Sequence, residues 1–170
     1  MHKLLSISVE ELLLWKQQQL SKGGDSQSLA FLLDSLGGIS SNDINLLRIN
    51  SKNKLNLKKS LVFLESIWDK HLLNLSPIQY LCGTAFWRDL KLKVTDKVLI
   101  PRPETELIVE IVFKLFGNTS RKLFFAELGT GSGAISIALA LAYPLSEGIA
   151  TDIDQDALEI ANKNYKDSSE

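Results

Sequence analysis

The chain has 170 residues, 45% of them hydrophobic and 23% charged, with a formal net charge of -1. This is ordinary globular composition, with no global basic field to hold a nucleic acid backbone. One cysteine, Cys82, excludes an internal disulfide framework and a cysteine-based zinc site, and suits a reducing compartment.

The first residues, "MHKLLSISVEELLLW", carry Glu10 and Glu11 early and do not read as a signal peptide. No apolar run is long and uninterrupted enough to span a bilayer. The expectation is a cytoplasmic chain with no membrane partner and no bound metal. Up to Ser76 the pattern predicts only helices. Ser8 and Glu11 form a capping box that opens an amphipathic run through Leu12, Leu13 and Trp15 to about Leu20. A second helix is predicted from Ser28 to Leu36, stopped by Gly37-Gly38. A short third follows Ser40/Ser41 through Ile44, Leu46 and Leu47. A fourth runs from about Leu57 to Leu73, with Leu57, Leu61, Leu64, Trp68 and Leu72 on one stripe. Together they suggest a helical bundle over residues 1–75.

Residues 76–100 read as a joint. Ser76, Pro77 and Gln79 start a short helix that Gly83 can end. "AFWRDLKLKVTDKVLI" has β character: Leu90, Leu92 and Val94 alternate with polar residues, and Thr95-Asp96-Lys97 turns before Val98 to Ile100. A hairpin is expected there. Pro101-Arg102-Pro103 enforces extended backbone and then starts a helix. That helix carries Leu107, Ile108, Ile111, Val112 and Leu115 on one side and ends at Gly117. A strand (Leu123 to Leu128), a glycine turn, a helix (Ala134 to Ala142), a strand (Gly148 to Ile153) and a helix (Ala157 to Tyr165) complete the chain. Residues 101–170 therefore read as the start of a doubly wound α/β sheet.

The glycine turn carries the chemistry. Glu127-Leu-Gly129-Thr130-Gly131-Ser132-Gly133 lies between a strand and a helix. Residues without Cβ let the backbone turn sharply and let a ligand approach it. The N–H groups at the helix start can meet polar or anionic ligand atoms. The next strand ends at Asp152, placed to accept hydrogen bonds from ribose hydroxyls. Two cofactors fit. Gly129 to Ala134 satisfies the dinucleotide pattern G-x-G-x-x-G/A, whereas Glu127 before the glycines and Gly133 at the third position favour S-adenosyl-L-methionine.

Three stretches narrow the choice: "PIQYLCGTAFW" (Pro77 to Trp87), "VLIPRPETELIVE" (Val98 to Glu110) and "ELGTGSGAISIALA" (Glu127 to Ala140). With "ATDIDQDALEIANKN" (Ala150 to Asn164) they closely resemble the peptide chain release factor N5-glutamine methyltransferases, the PrmC/HemK family. Ile100 to Glu106 is the most specific part, because generic methyltransferases do not share it. The resemblance implies a Rossmann-like class I S-adenosyl-L-methionine-dependent methyltransferase domain. Its reaction would methylate the side-chain amide of the glutamine in the release factor GGQ motif, in translation termination. It places the cofactor on Gly129, Thr130, Gly131, Ser132 and Gly133, with Asp152 at the ribose. Arg102, Thr105 and Glu106 are further candidates on the cofactor side. The helical part is expected to help grip the release factor.

The family's catalytic Asn-Pro-Pro-Tyr does not occur here; the four prolines are Pro77, Pro101, Pro103 and Pro144. A carboxamide nitrogen is a poor nucleophile, and that motif orients it. No catalytic residue is therefore assigned, and the 170 residues alone are expected to be inactive. Other readings are a release-factor-binding remnant without catalysis, an adenine N6 DNA methyltransferase, and a dinucleotide-dependent oxidoreductase. Plainer roles also stand beside the functional ones. Arg102, Glu104 and Glu106 can serve a helix start, and Asp154 can cap the last helix. His2 and His71 read as surface residues, Cys82 as a small buried apolar group, and Phe86 and Trp87 as packing. Lys52, Lys54, Lys58 and Lys59 read as a solvated face or, alternatively, a release-factor contact.

Overall fold

The computed structural model describes residues 5–40, 42–44, 54–117 and 120–168, in two compact units divided between Cys82 and Gly83. The fold is mixed α/β.

The first unit opens with strand β1 (Leu5–Ser8) and helix α1 (Val9–Ser21). Ser8 has extended backbone, and its Oγ accepts the Glu11 N–H at 3.0 Å, as the capping box predicts. Helix α2 (Ser26–Leu32) starts earlier than expected, because Asp25 is the cap and accepts from the Gln27 and Ser28 N–H groups at 2.9 and 2.8 Å. A π-helical turn (Leu33–Gly37) continues it and stops at Gly38, whose φ of 72° lies in the left-handed region. Ser40 and Asp43 cap each other reciprocally: Ser40 Oγ accepts the Asp43 N–H at 3.1 Å, and Asp43 Oδ2 accepts the Ser40 N–H at 2.8 Å. Ser41, Leu46 and Leu47 of the predicted third helix lie outside the described residues, as do His2 and Lys52.

The expectation of helices alone is corrected by strand β2 (Lys54–Leu57), which pairs antiparallel with β1, Leu5 opposite Leu57 and Ile7 opposite Leu55. Leu57 therefore belongs to a strand and not to the next helix. That helix, α3 (Leu61–Asn74), begins only after Ser60, whose Oγ accepts the Phe63 N–H at 3.2 Å. Its stripe of Leu64 and Trp68 is fully buried, with Leu61 and Leu72 packed alongside. His71 is not a plain surface residue: its ring is half-buried against Trp68, and its Nδ1 meets the Ser76 carbonyl at 2.6 Å. Helix α4 (Ile78–Cys82) follows Pro77. The core gathers Leu12, Leu29, Leu32, Leu33, Leu57 and Leu64 around Trp68. Burying each leucine contributes about 1.5–3 kcal/mol, whereas an exposed ion pair contributes about 0–1 kcal/mol. Packing, more than the ion pairs of Lys22 with Glu65 and Asp69, holds this unit.

The second unit begins with a hairpin, β3 (Thr84–Trp87) and β4 (Leu90–Lys93), joined at Arg88-Asp89. The expected hairpin is thus present with a different partner. Leu90–Lys93 pairs back to Thr84–Trp87, and Val98 to Ile100 forms no strand. Thr95-Asp96-Lys97 does turn, with the Val98 N–H donating to the Thr95 carbonyl at 3.2 Å. Trp87 is buried, but Phe86 on the alternate face is exposed with Lys91 over its ring, which corrects its reading as packing.

A 3-10 turn (Pro103–Thr105) leads into α5 (Glu106–Phe116), which ends at Gly117. Its expected apolar side is a second correction. Val109 is the buried residue, with Val112 and Phe113 beside it in the core, whereas Leu107, Ile108, Ile111 and Leu115 are exposed. Then come β5 (Phe124–Leu128), α6 (Ala134–Ala142), β6 (Glu147–Thr151) and α7 (Gln155–Ser168). Strands β5 and β6 run parallel, Phe124 opposite Glu147 and Leu128 opposite Thr151, so β5, α6 and β6 form a βαβ unit. Among the described residues this sheet has two strands, and Phe124, Leu128 and Ile149 stay exposed on it.

Candidate functional site

Parallel pairing brings the carboxyl ends of β5 and β6 side by side, where ligands of open α/β sheets bind. The glycine turn leaves β5 and at once bonds to β6. The N–H groups of Gly129 and Thr130 both donate to the Thr151 carbonyl, at 2.8 and 2.9 Å. The Gly131 N–H donates to Asp152 Oδ2 at 2.8 Å, and the Asp154 N–H to Asp152 Oδ1 at 3.1 Å. The Gly133 N–H closes the turn on the Thr130 carbonyl at 2.9 Å.

The backbone explains why glycines stand here. Gly129, Gly131 and Gly133 have φ of 75°, 53° and 84°, values that side chains with Cβ disfavour. Their surroundings differ. A Cβ on Gly129 or Gly131 would meet nothing within 4 Å, whereas one on Gly133 would lie 3.1 Å from Ile137 Cδ1 and 3.3 Å from Ala161 Cβ. The first two glycines present bare backbone to open space. The third permits close packing of α6 on α7.

Glu127 holds the turn from within. Its Oε2 accepts the Thr130 hydroxyl at 2.8 Å and the Ser136 N–H at 3.1 Å, and also accepts the Ser136 hydroxyl. One carboxylate oxygen thus ties the strand end, the turn and the first turn of α6, where a negative charge also suits the helix dipole. Thr130 and Ser132 are buried in the turn. The Ser132 carbonyl accepts from Asn164 Nδ2 at 2.8 Å. Asn164 also donates Nδ2 to the Lys93 carbonyl at 3.0 Å and accepts the Lys93 N–H on Oδ1 at 2.7 Å.

Asp152 is half-buried, and its carboxyl sits below the usual value of 3.8, first because the Asp154 N–H and then because the Gly131 N–H favours the anion. Asp154 caps α7, with Oδ1 accepting the Asp156 N–H at 2.8 Å. Arg102, Thr105 and Glu106 engage the hairpin and each other. Trp87 Nε1 donates to the Arg102 carbonyl at 2.9 Å, the Thr105 N–H donates to the Arg102 carbonyl at 3.1 Å, and the Arg88 N–H donates to Glu106 Oε1 at 3.4 Å. Arg88 also pairs with Glu110, at a tip where its own φ is 50°.

Sequence reading passed over Ser136 and Asn164 and gave Glu127 no structural role. Asn164 did leave a signal, because Ala157, Ile160 and Asn164 form the buried stripe of α7 at helical spacing. A polar residue on such a stripe needs partners. Among the described residues no three His, Cys, Asp or Glu side chains gather as metal ligands, and no helix is long and apolar enough to cross a membrane.

Fold and site together define an α/β protein whose βαβ unit carries a glycine turn beside an acidic strand end. No protein-family model matches the chain. It is 43% identical over 164 residues to the release factor glutamine methyltransferase of Prochlorococcus marinus, covering 96% of this chain and 56% of that protein. The protein of the same name from Streptococcus pneumoniae is 35% identical over 155 residues, 91% of this chain and 53% of its own length. That from Thermosynechococcus vestitus is 38% identical over 140 residues, 82% of this chain and 47% of its own. Along these spans the chain is a relative of the release factor glutamine methyltransferases. It spans about half the length of the curated relatives it matches.

Proposed function

We infer that the second unit carries an S-adenosyl-L-methionine site of a Rossmann-like methyltransferase domain, in a protein that methylates the GGQ glutamine of release factors. The observation that carries this is the bare backbone of Gly129 and Gly131 beside Asp152. The residues fit the cofactor. The two Asp152 oxygens accept the Gly131 and Asp154 N–H groups and, with about four lone-pair sites between them, can still accept a ribose hydroxyl. Gly129 and Gly131 allow close approach to the turn, and Glu127 keeps the turn in place. When bound, the cofactor supplies an electrophilic sulfonium methyl group. Arg102, Thr105 and Glu106 are proposed on the cofactor side of the pocket, carried by the hairpin through Trp87 and Arg88.

The partner is proposed to be a release factor, gripped in part by residues 1–75, with residues 76–100 as the joint and 101–170 as the cofactor part. The exposed Lys54, Lys58 and Lys59 belong to that first part. No Asn-Pro-Pro-Tyr occurs in the 170 residues, so these residues alone are proposed to bind cofactor without transferring its methyl group. A cytoplasmic location is proposed with it, because release factors act in translation.

Calorimetric titration of the chain with S-adenosyl-L-methionine and, separately, with NAD tests the cofactor. Saturable binding of the first and not the second is expected, and the reverse preference overturns the reading. Incubation with labelled S-adenosyl-L-methionine and a release factor is expected to leave the factor unlabelled. Label above background overturns the proposed inactivity.

A further inference from the structure

We propose that Asn164 is a positioning residue for the cofactor turn, a buried amide that sets the turn's geometry by tying it to the edge of the hairpin. The inference rests on the cofactor reading above and adds to it a residue far along the chain from the glycines.

Asn164 is 2% exposed, and its side chain spends both amide protons and one lone pair of its oxygen on backbone. Oδ1 accepts the Lys93 N–H, and one Nδ2 contact goes to the Lys93 carbonyl. This copies the pair of bonds that a neighbouring strand residue would make with β4. The remaining Nδ2 contact goes to the Ser132 carbonyl. Ser132 lies between Gly131 and Gly133, whose N–H groups are committed to Asp152 and to Thr130. The Ser132 carbonyl shares one peptide plane with the Gly133 N–H, so holding it limits how far that plane can rotate. The turn has four contacts of its N–H groups on the β6 side or within itself, and Asn164 supplies one from α7, which it also ties to the hairpin at Lys93. Glycines alone give freedom and not a defined shape. A site that must accept a ligand without reorganising needs such supporting bonds.

The amide is suited to this task and near substitutes are not. A carboxylate of the same shape accepts from Lys93 but faces two carbonyl oxygens with no proton to offer. Alanine removes the partner of the part-buried Lys93 N–H and of the buried Ser132 carbonyl. Lys93 Nζ also pairs with Asp167 at 2.7 Å on the surface, so the attachment of α7 to β4 does not depend on Asn164 alone.

The test uses the full chain as wild type, Asn164→Ala, Asn164→Asp and, as a control on the same buried stripe, Ile160→Val. Amide exchange is followed by NMR at Lys93, at Gly129 to Gly133 and along β5, and S-adenosyl-L-methionine affinity is measured at a temperature where each variant is folded. Asn164→Asp is expected to keep Lys93 protected while exchange at Gly131 and Gly133 quickens and β5 is unchanged. Affinity is expected to fall on the order of tenfold in both Asn164 variants, the equivalent of one lost buried hydrogen bond. Ile160→Val is expected to lower thermal stability without moving either readout. Turn exchange in Asn164→Asp equal to wild type, or an affinity loss no larger than the control's, overturns the proposal. Should Asn164→Ala not fold, Asn164→Asp decides alone. If the wild type binds no S-adenosyl-L-methionine, the cofactor reading fails, and the exchange data still decide whether Asn164 sets the turn.

Discussion

The Gly131 N–H donates to Asp152 Oδ2 at 2.8 Å, so the turn after β5 and the acid after β6 form one hydrogen-bonded object. The carboxylate proposed for ribose also shapes the loop proposed to meet the rest of the ligand. Damage to either is therefore expected at both.

The first prediction is its titration. The folded carboxyl lies below the usual 3.8, held there first by the Asp154 N–H and then by that of Gly131. A carboxyl lowered by folding contributes stability above its unfolded value and loses it as pH falls through the folded value. The contribution of Asp152 should therefore begin to fall as pH drops below the unfolded value and be gone once pH is below the folded one. In an NMR titration the Gly131 amide should shift with a midpoint below 3.8, and in Asp152→Asn that titration should vanish. A midpoint at or above the ordinary carboxyl value would contradict the observed hydrogen bonds.

The three glycines should separate into two kinds. Gly131→Ala adds only backbone strain, about 1–2 kcal/mol, because its Cβ meets nothing within 4 Å. Gly133→Ala adds the same strain and also crowds Ile137 at 3.1 Å and Ala161 at 3.3 Å. Urea unfolding should rank Gly133→Ala as the less stable. Cofactor titration should show the larger loss per unit of stability for Gly131→Ala. Equal ratios would mean that Gly131 does not face the ligand.

Glu127→Ala removes the acceptor of Thr130 and of Ser136 N–H and hydroxyl. Orphaning such half-buried donors costs about 1–3 kcal/mol. Glu127→Gln keeps one carbonyl oxygen and should lose less. Chemical denaturation of both variants measures this, and an alanine variant as stable as wild type would remove Glu127 from the account of the turn.

Cys82 is half-buried, and burial pushes its thiol up to about 12. Little thiolate forms at pH 8, so alkylation of the folded chain should be far slower than that of the urea-unfolded chain. Similar rates in the two states would show that Cys82 is open to solvent.

How far the sequence reaches is visible residue by residue. The Ser8–Glu11 cap and the strand-turn-helix order around Gly129 to Gly133 were legible, since each is written within a few neighbouring positions. The Asp25 cap is not legible because Ser28 offers another start, and the Ser60 cap because the apolar stripe can be carried back to Leu57, which the folded chain puts in a strand. Strands β1 and β2 were missed because each has four residues and neither carries a signal without the other. The side of α5 that faces the core was misread for a related reason: apolar residues surround much of that helix, and packing selects Val109.

What the sequence by itself determined is the local chemistry: where backbone must turn without Cβ, which oxygens cap which helices, and that an acid follows the second parallel strand. Tertiary structure alone decided who meets whom. Leu5 finds Leu57, Asn164 finds Lys93 and Ser132, and Asp152 finds Gly131. The reason is physical. Caps and turns are satisfied by neighbours a few residues away, whereas buried polar atoms and strand edges take partners that arrive only when the chain closes on itself.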